Sequence, residues 1–172
     1  MELYVEQGYD ETTVAEIAQR AGLTERTFFR HFADKREVLF GGAGALQDVL
    51  VNGVAEAPPG LAPIDAAAAG LQAAGALLQE GRPFARQRQR IVAANAELQE
   101  RELTKLAALA AALADALRAR GVGDPAAALT AEVAIAVFKI AFERWVDETR
   151  GPDLAHRIRE ALDDLRAVTA GT

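Results

Sequence analysis

The chain has 172 residues, 51% of them hydrophobic and 26% charged, enough to bury a core in one compact body or in a small module fused to a larger one. It contains no cysteine, which excludes disulfides and thiolate metal sites and fits a reducing, cytoplasmic setting. A net charge of −6 excludes a general nucleic-acid coat, but not a protein that meets DNA through one small face.

The opening MELYVEQG has neither a basic region nor a long apolar run, so no signal peptide is expected. Glu2 to Gln7 reads as a short helix with Leu3 and Tyr4 as its apolar contacts, closed by Gly8. Thr13 with Glu16 makes a capping box that starts a helix at Val14. Ile17 and Ala21 face inward, and Ala18 is small enough to let a second helix cross closely. Gly22 supplies the left-handed residue at the end of this helix, and Leu23 is expected to pack in the turn. Thr24 caps the next helix, Glu25 to Phe32, with Phe28 and Phe32 buried one turn apart. Asp34 with Glu37 forms a second capping box, opening a further helix at Lys35. Two short helices about a glycine turn, the second polar at its start, have the form of a helix-turn-helix. On spacing alone, a corner of an all-α bundle is an equal reading.

Pro58, Pro59, Gly60 and Pro63 interrupt any helix over Ala55–Pro63. Beyond this loop, Phe84, Gln87, Ile91, Ala94 and Leu98 fall on one helical stripe, with Gln87 as the polar exception. A buried amide needs a partner, so Gln87 would either orient a ligand or bond to a neighbouring helix. Arg82, Arg86, Arg88 and Arg90 would either meet an anionic ligand or form the solvated face of the same segment, and the solvated face is the favoured reading. Leu103, Leu106, Ala110, Leu113 and Leu117 lie on one face of a long helix that stops at Gly121 and Gly123.

Asp124 and Pro125 have the cap and first-turn chemistry of the next helix, which runs to about Arg150 before Gly151-Pro152 breaks it. That helix is apolar on two sides: Val133, Val137, Ile140 and Ala141 on one, Ala134, Phe138, Phe142 and Trp145 on the other. A surface helix needs one apolar face, so it is either central to a monomeric bundle or turned towards a partner. Lys139 inside it, with Glu132 and Glu143 at its flanks, argues against a membrane span, and no membrane partner is expected. A last amphipathic helix carries Leu154, Ile158, Leu162 and Leu165. No segment alternates in strand fashion, and the fold is read as all-α.

Residues 12–39, TTVAEIAQRAGLTERTFFRHFADKREVL, with the lead-in GYDETTV, closely resemble the DNA-binding signature of TetR-family repressors. The resemblance is strong over residues 2–40 and survives elsewhere as helix order and length. It implies a three-helix DNA-binding domain over 1–41 and a helical effector-binding and dimerisation domain over 42–172. It further implies a homodimer that holds a palindromic double-stranded DNA operator and releases it when a small-molecule effector, of unknown identity, binds.

Carried onto this chain, the resemblance makes Glu25, Arg26, Thr27 and Arg30 the candidates for base or groove contacts. Arg26 leads, because a guanidinium can grip guanine O6 and N7 together. Thr13, Thr24, His31 and Lys35 match positions that touch phosphates, which give register rather than sequence information. Phe29 stands where the family usually has tyrosine, so that hydroxyl is missing and Arg30 and His31 would carry more of the phosphate contact. The effector pocket is expected to use Phe84, Gln87, Ile91, Phe138 and Phe142, and the dimer interface Ile140, Trp145, Ile158 and Leu162. The family's first helix is two or three turns longer than Glu2 to Gln7 and follows a basic stretch, so the natural protein is expected to extend upstream of Met1.

Two other readings compete. A TetR-like ligand-binding dimer that has lost operator binding would account for Phe29, the short first helix and the acidic net charge. An enzyme is disfavoured: His31 and His156 lie far apart without a ligating carboxylate spacing, and GGAGAL at 41–46 lacks the lysine and hydroxyl of a phosphate loop. No catalytic residue, metal or cofactor is expected.

Overall fold

The structure, a computed structural model, describes residues 1–171. Its helices are α1 Glu2–Glu6, α2 Val14–Arg20, α3 Glu25–His31, α4 Glu37–Phe40, α5 Ala43–Ala55, α6 Pro63–Leu78, α7 Arg82–Ala94, α8 Ala96–Ala119, α9 Ala126–Asp147 and α10 Leu154–Ala170. A 3-10 turn, Gln79–Gly81, joins α6 to α7. Among the described residues every regular element is helical, the all-α fold that the periodicity indicates.

The short N-terminal helices owe their starts to local chemistry. Glu16 N donates to Thr13 Oγ1 at 3.2 Å, while Thr13 N donates to Glu16 Oε2 at 2.8 Å, completing the capping box of α2. Gly22 sits at φ 69° after α2, and the chain reverses there with Leu23 N donating to Ala18 O at 2.8 Å. Leu23 itself stays exposed instead of packing in the turn. Thr24 Oγ1 accepts from Thr27 N at 3.2 Å and caps α3, whose Phe28 is buried while Phe32 is only half-buried. The second box is half made. Asp34 Oδ1 accepts from Arg36 N at 2.8 Å and Glu37 N at 3.3 Å, but α4 starts at Glu37, whose carboxylate pairs with Arg101 on α8.

The body consists of α5 to α10 around one apolar core that includes Leu50, Val54, Leu71, Leu113, Leu117, Trp145 and Ile158. Its tightest crossing is glycine on glycine. A Cβ on Gly53 would stand 2.8 Å from Gly70 Cα, and one on Gly70 would stand 2.5 Å from Leu50 O, so α5 and α6 meet backbone to backbone. Residues Glu37–Ala55 have the length and hydropathy of a membrane span, yet the chain breaks between α4 and α5 and Leu46, Leu50 and Val54 are buried in the body. At the start of α9, Asp124 does not cap the helix but accepts from Arg118 Nε and Nη2, and Pro125 takes the N-cap position.

A second, smaller core joins Tyr4, Tyr9, Leu39 and Phe40 of the N-terminal segment to Ile91, Val92 and Leu98 of α7 and α8. Tyr9 OH donates to Glu97 Oε1 at 2.5 Å across the same seam. The N-terminal helices therefore close on the body instead of hanging from it.

Candidate DNA-binding face and effector cavity

The outer side of α3 is polar and open. Glu25, Arg26, Phe29, Arg30 and His31 are exposed, and Thr27 is half-buried beneath them. Arg26 pairs with no other side chain among the described residues, and Arg30 meets only the His31 ring, Nη2 to Nε2 at 3.3 Å. Four of the nearby acids are occupied. Arg20 donates to Glu2 and Glu6 on α1, Glu16 is held in its capping box, and Asp34 pairs with Arg36. The Arg36 guanidinium holds the Asp34 carboxyl below its usual range, so this acid stays ionised and paired. On α3 itself Arg26 and Arg30 outnumber Glu25, which no cation pairs among the described residues, so the helix face is net positive. Phe29, 53% exposed, presents a bare ring to solvent beside these cations.

Thr13 and Thr24 lie at the exposed starts of α2 and α3, their hydroxyls engaged in the caps. Lys35 departs from expectation. Its ammonium donates to Tyr9 O at 2.8 Å, Thr12 O at 3.1 Å and Asp10 O at 3.2 Å, and lies 4.3 Å from the centre of the Tyr9 ring. An ammonium has three donors, and the loop before α2 uses all three, so Lys35 is a fastener of this loop and not a free phosphate ligand. Tyr4 OH completes the fastening by donating to Lys35 O at 2.5 Å.

Between this module and the body lies a cavity of about 190 Å³. One wall is Leu39, Phe40 and the Gly41–Ala43 link; the others come from α5, α6, α7, α8 and α9. Phe84, Phe138 and Phe142 line it as the sequence suggests. Gln87 and Ile91 do not: Gln87 is exposed, and Ile91 is buried in the smaller core. The physical reason is a rotation of α7. Its inward stripe is Ala85, Arg88, Ile91 and Val92, one step round from the expected one. Arg88, read as part of a solvated face, is buried because its charge is met inside the protein. Nε donates to Leu39 O at 2.6 Å, Nη2 pairs with Glu102, and the guanidinium lies 4.7 Å from the centre of the Phe40 ring. Arg82 and Arg86 also leave the solvated face, donating to carbonyls at the end of α9, among them Trp145 O and Val146 O.

The expected dimer residues divide sharply. Trp145, Ile158 and Leu162 are buried in the core of the single chain and present no free face, which corrects their assignment to an interface. Ile140 is 46% exposed. With exposed Leu129 and Ala136 and half-buried Val133 it forms an apolar stripe along the outside of α9, which sequence reasoning located only at Ile140 and Val133.

A capped helix pair that displays a cationic polar face, carried on a helical body with its own cavity, defines a helix-turn-helix DNA-binding regulator. Residues 1–40 match the bacterial regulatory proteins of the tetR family, and residues 61–170 match the MftR C-terminal domain. The chain belongs to the TetR family of transcriptional regulators, which are not enzymes. A curated relative, the HTH-type transcriptional regulator TcmR of Streptomyces glaucescens, is 35% identical over 81 residues, which span 47% of this chain and 36% of TcmR. Among solved structures, a TetR-family regulator of Mesorhizobium loti superposes with a TM-score of 0.54 at 23% identity, covering 98% of this chain and 90% of that one. PfmR of Thermus thermophilus gives 0.52 at 22% identity, covering 94% and 91%. Thermus thermophilus FadR, a TetR-family repressor solved in complex with lauroyl-CoA, gives 0.50 at 25% identity, covering 95% and 87%.

Proposed function

We propose that this protein is a cytoplasmic, homodimeric repressor that holds a palindromic operator through α3 and releases it when a small molecule enters the cavity. The observation that carries the reading is the shared wall: Leu39 and Phe40 end the DNA-binding module and also line the cavity. A ligand there that prefers one placement of α4 shifts the DNA-binding equilibrium by its differential affinity, and by no more than that. On α3, Arg26 reads a base, Glu25 and Thr27 lie along the groove, and Arg30 and His31 meet phosphates, joined by Thr13 and Thr24 at the starts of α2 and α3. Two copies pair through the α9 stripe of Leu129, Val133, Ala136 and Ile140.

Selection of bound sequences from random duplexes tests this. Inverted repeats with half-site centres about 34–36 Å apart, one DNA turn, are expected. Recovery of asymmetric or single half-sites alone would count against the paired reading. The exposed Phe29 supports a second reading, a ligand-binding dimer without operator affinity. Under that reading a gel-shift on the gene's own upstream region shows no complex even at low salt.

A further inference from the structure

Three charged side chains line the cavity among its apolar walls: Arg88 on α7, and Glu102 and Lys105 on α8. Glu102 accepts from both cations, from Arg88 Nη2 on one oxygen and from Lys105 Nζ at 2.9 Å on the other. Two cations and one carboxylate leave the cluster with a formal charge of +1 (+1 +1 −1). Arg88 is further satisfied by Leu39 O, but Lys105 donates to Glu102 alone, with two of its three donors unmatched among the described residues.

The Lys105 side chain is only 18% exposed. Burial pulls its ammonium below the ordinary lysine range, the direction expected when a charged form lacks enough compensation. Burial raises the Glu102 carboxyl, but Lys105 and Arg88 outweigh it and hold the group below the usual carboxylate range, so Glu102 stays ionised. An excess positive charge facing apolar walls is costly until an anion joins it.

We propose that the cavity takes a small apolar carboxylate, its head group paired with Lys105 beside Glu102 and Arg88, its tail against Leu46, Phe84, Phe138 and Phe142. This rests on the reading of the cavity as the effector site and specifies its ligand class. A neutral ligand leaves the excess charge unpaired, and a cation adds to it. At about 190 Å³ the cavity is smaller than the roughly 300–1,000 Å³ of drug-sized sites, which favours a short tail. The head group also competes with Glu102 for Arg88, the side chain that holds the Leu39 carbonyl of α4. Binding is thereby felt in the DNA-reading module.

Calorimetric titration of the full chain with octanoate, octan-1-ol and octylammonium keeps one tail and varies the head. Octanoate should bind about tenfold more tightly than octanol, the scale of one charge-assisted hydrogen bond, and octylammonium more weakly than octanol. Lys105→Met should remove the preference for octanoate while octanol still binds. Glu102→Gln, which raises the cluster to +2 and removes the competing carboxylate, should strengthen it. Damage to the cavity would weaken all three ligands, so opposite shifts confined to octanoate mark recognition of charge. The wild-type comparison of head groups decides the matter even where a variant misfolds. Equal binding of octanoate and octanol would overturn the carboxylate class and leave the cavity as an effector site. Failure of all three to bind would overturn both.

Discussion

Arg26 and Lys35 stand nine residues apart and both carry a positive charge, but only one has it to offer. Among the described residues Arg26 has no partner, so its guanidinium is free for a bidentate contact with guanine. Arg26→Ala should cost on the order of 1–3 kcal/mol of operator affinity and relax the preference at one position per half-site. An unchanged sequence preference in a repeat of the duplex selection would remove Arg26 as a base reader. Lys35 is bound to three carbonyls of the loop before α2. Lys35→Met should therefore lower thermal stability, by about 1–3 kcal/mol for the missing charged hydrogen bonds. The salt dependence of DNA binding should be untouched by that change, whereas Arg30→Ala should reduce the log–log salt slope by roughly 1 for each phosphate that Arg30 neutralises. A shallower slope for Lys35→Met would return that lysine to the DNA backbone.

At the scale of elements, what is legible in the sequence follows the range of the interactions that build each piece. The caps of α2 and α3 are made within three residues, Thr13 with Glu16 and Thr24 with Thr27, so the helix-turn-helix can be read directly. The orientation of α7 is set at long range. Ala85 and Arg88 turn inward because Glu102 and the Leu39 carbonyl wait for the guanidinium, and neither is near in sequence. Periodicity likewise reveals that α9 has two apolar sides without saying which meets a partner. Trp145 is the natural anchor by size, but it fills the chain's own core under the Arg82 guanidinium, while the smaller Ile140 faces out. The two faces should therefore respond differently to a charge. Ile140→Glu should dissociate the dimer and leave each chain folded, because the new charge on the free protomer stays in water. Leu162→Glu should unfold the chain itself, because an unpaired carboxylate would enter a core position. Sedimentation and circular dichroism separate these outcomes, and an Ile140→Glu protein that still dimerises would exclude the α9 stripe as the interface.

For the whole molecule, the decisive feature is that the boundary between DNA-binding module and body passes through a core and not through a linker. Leu39 and Phe40 belong to α4 by sequence, but with Tyr4 and Tyr9 they pack on Ile91, Val92 and Leu98 of α7 and α8. Tyr9–Glu97, Arg88–Leu39 and Arg101–Glu37 bridge the same seam. Such a seam lets a change at the cavity reach α3 through packed groups, and it also denies the module independence. Helices of 5, 7, 7 and 4 residues are far below the length at which helices persist alone in water. A module of about 40 residues also needs disulfides, a metal or a partner to hold itself together, and this chain has no cysteine. A fragment of residues 1–41 should therefore show little helix by circular dichroism and no cooperative melt, while the full chain shows both. Within the full chain, Ile91→Ala or Val92→Ala should weaken DNA binding although neither residue approaches DNA, because each supports α4 from the body side. A fragment that melts cooperatively and binds an operator half-site would show the two modules to be separable, and coupling between cavity and DNA would then have to run through the α4–α5 link alone.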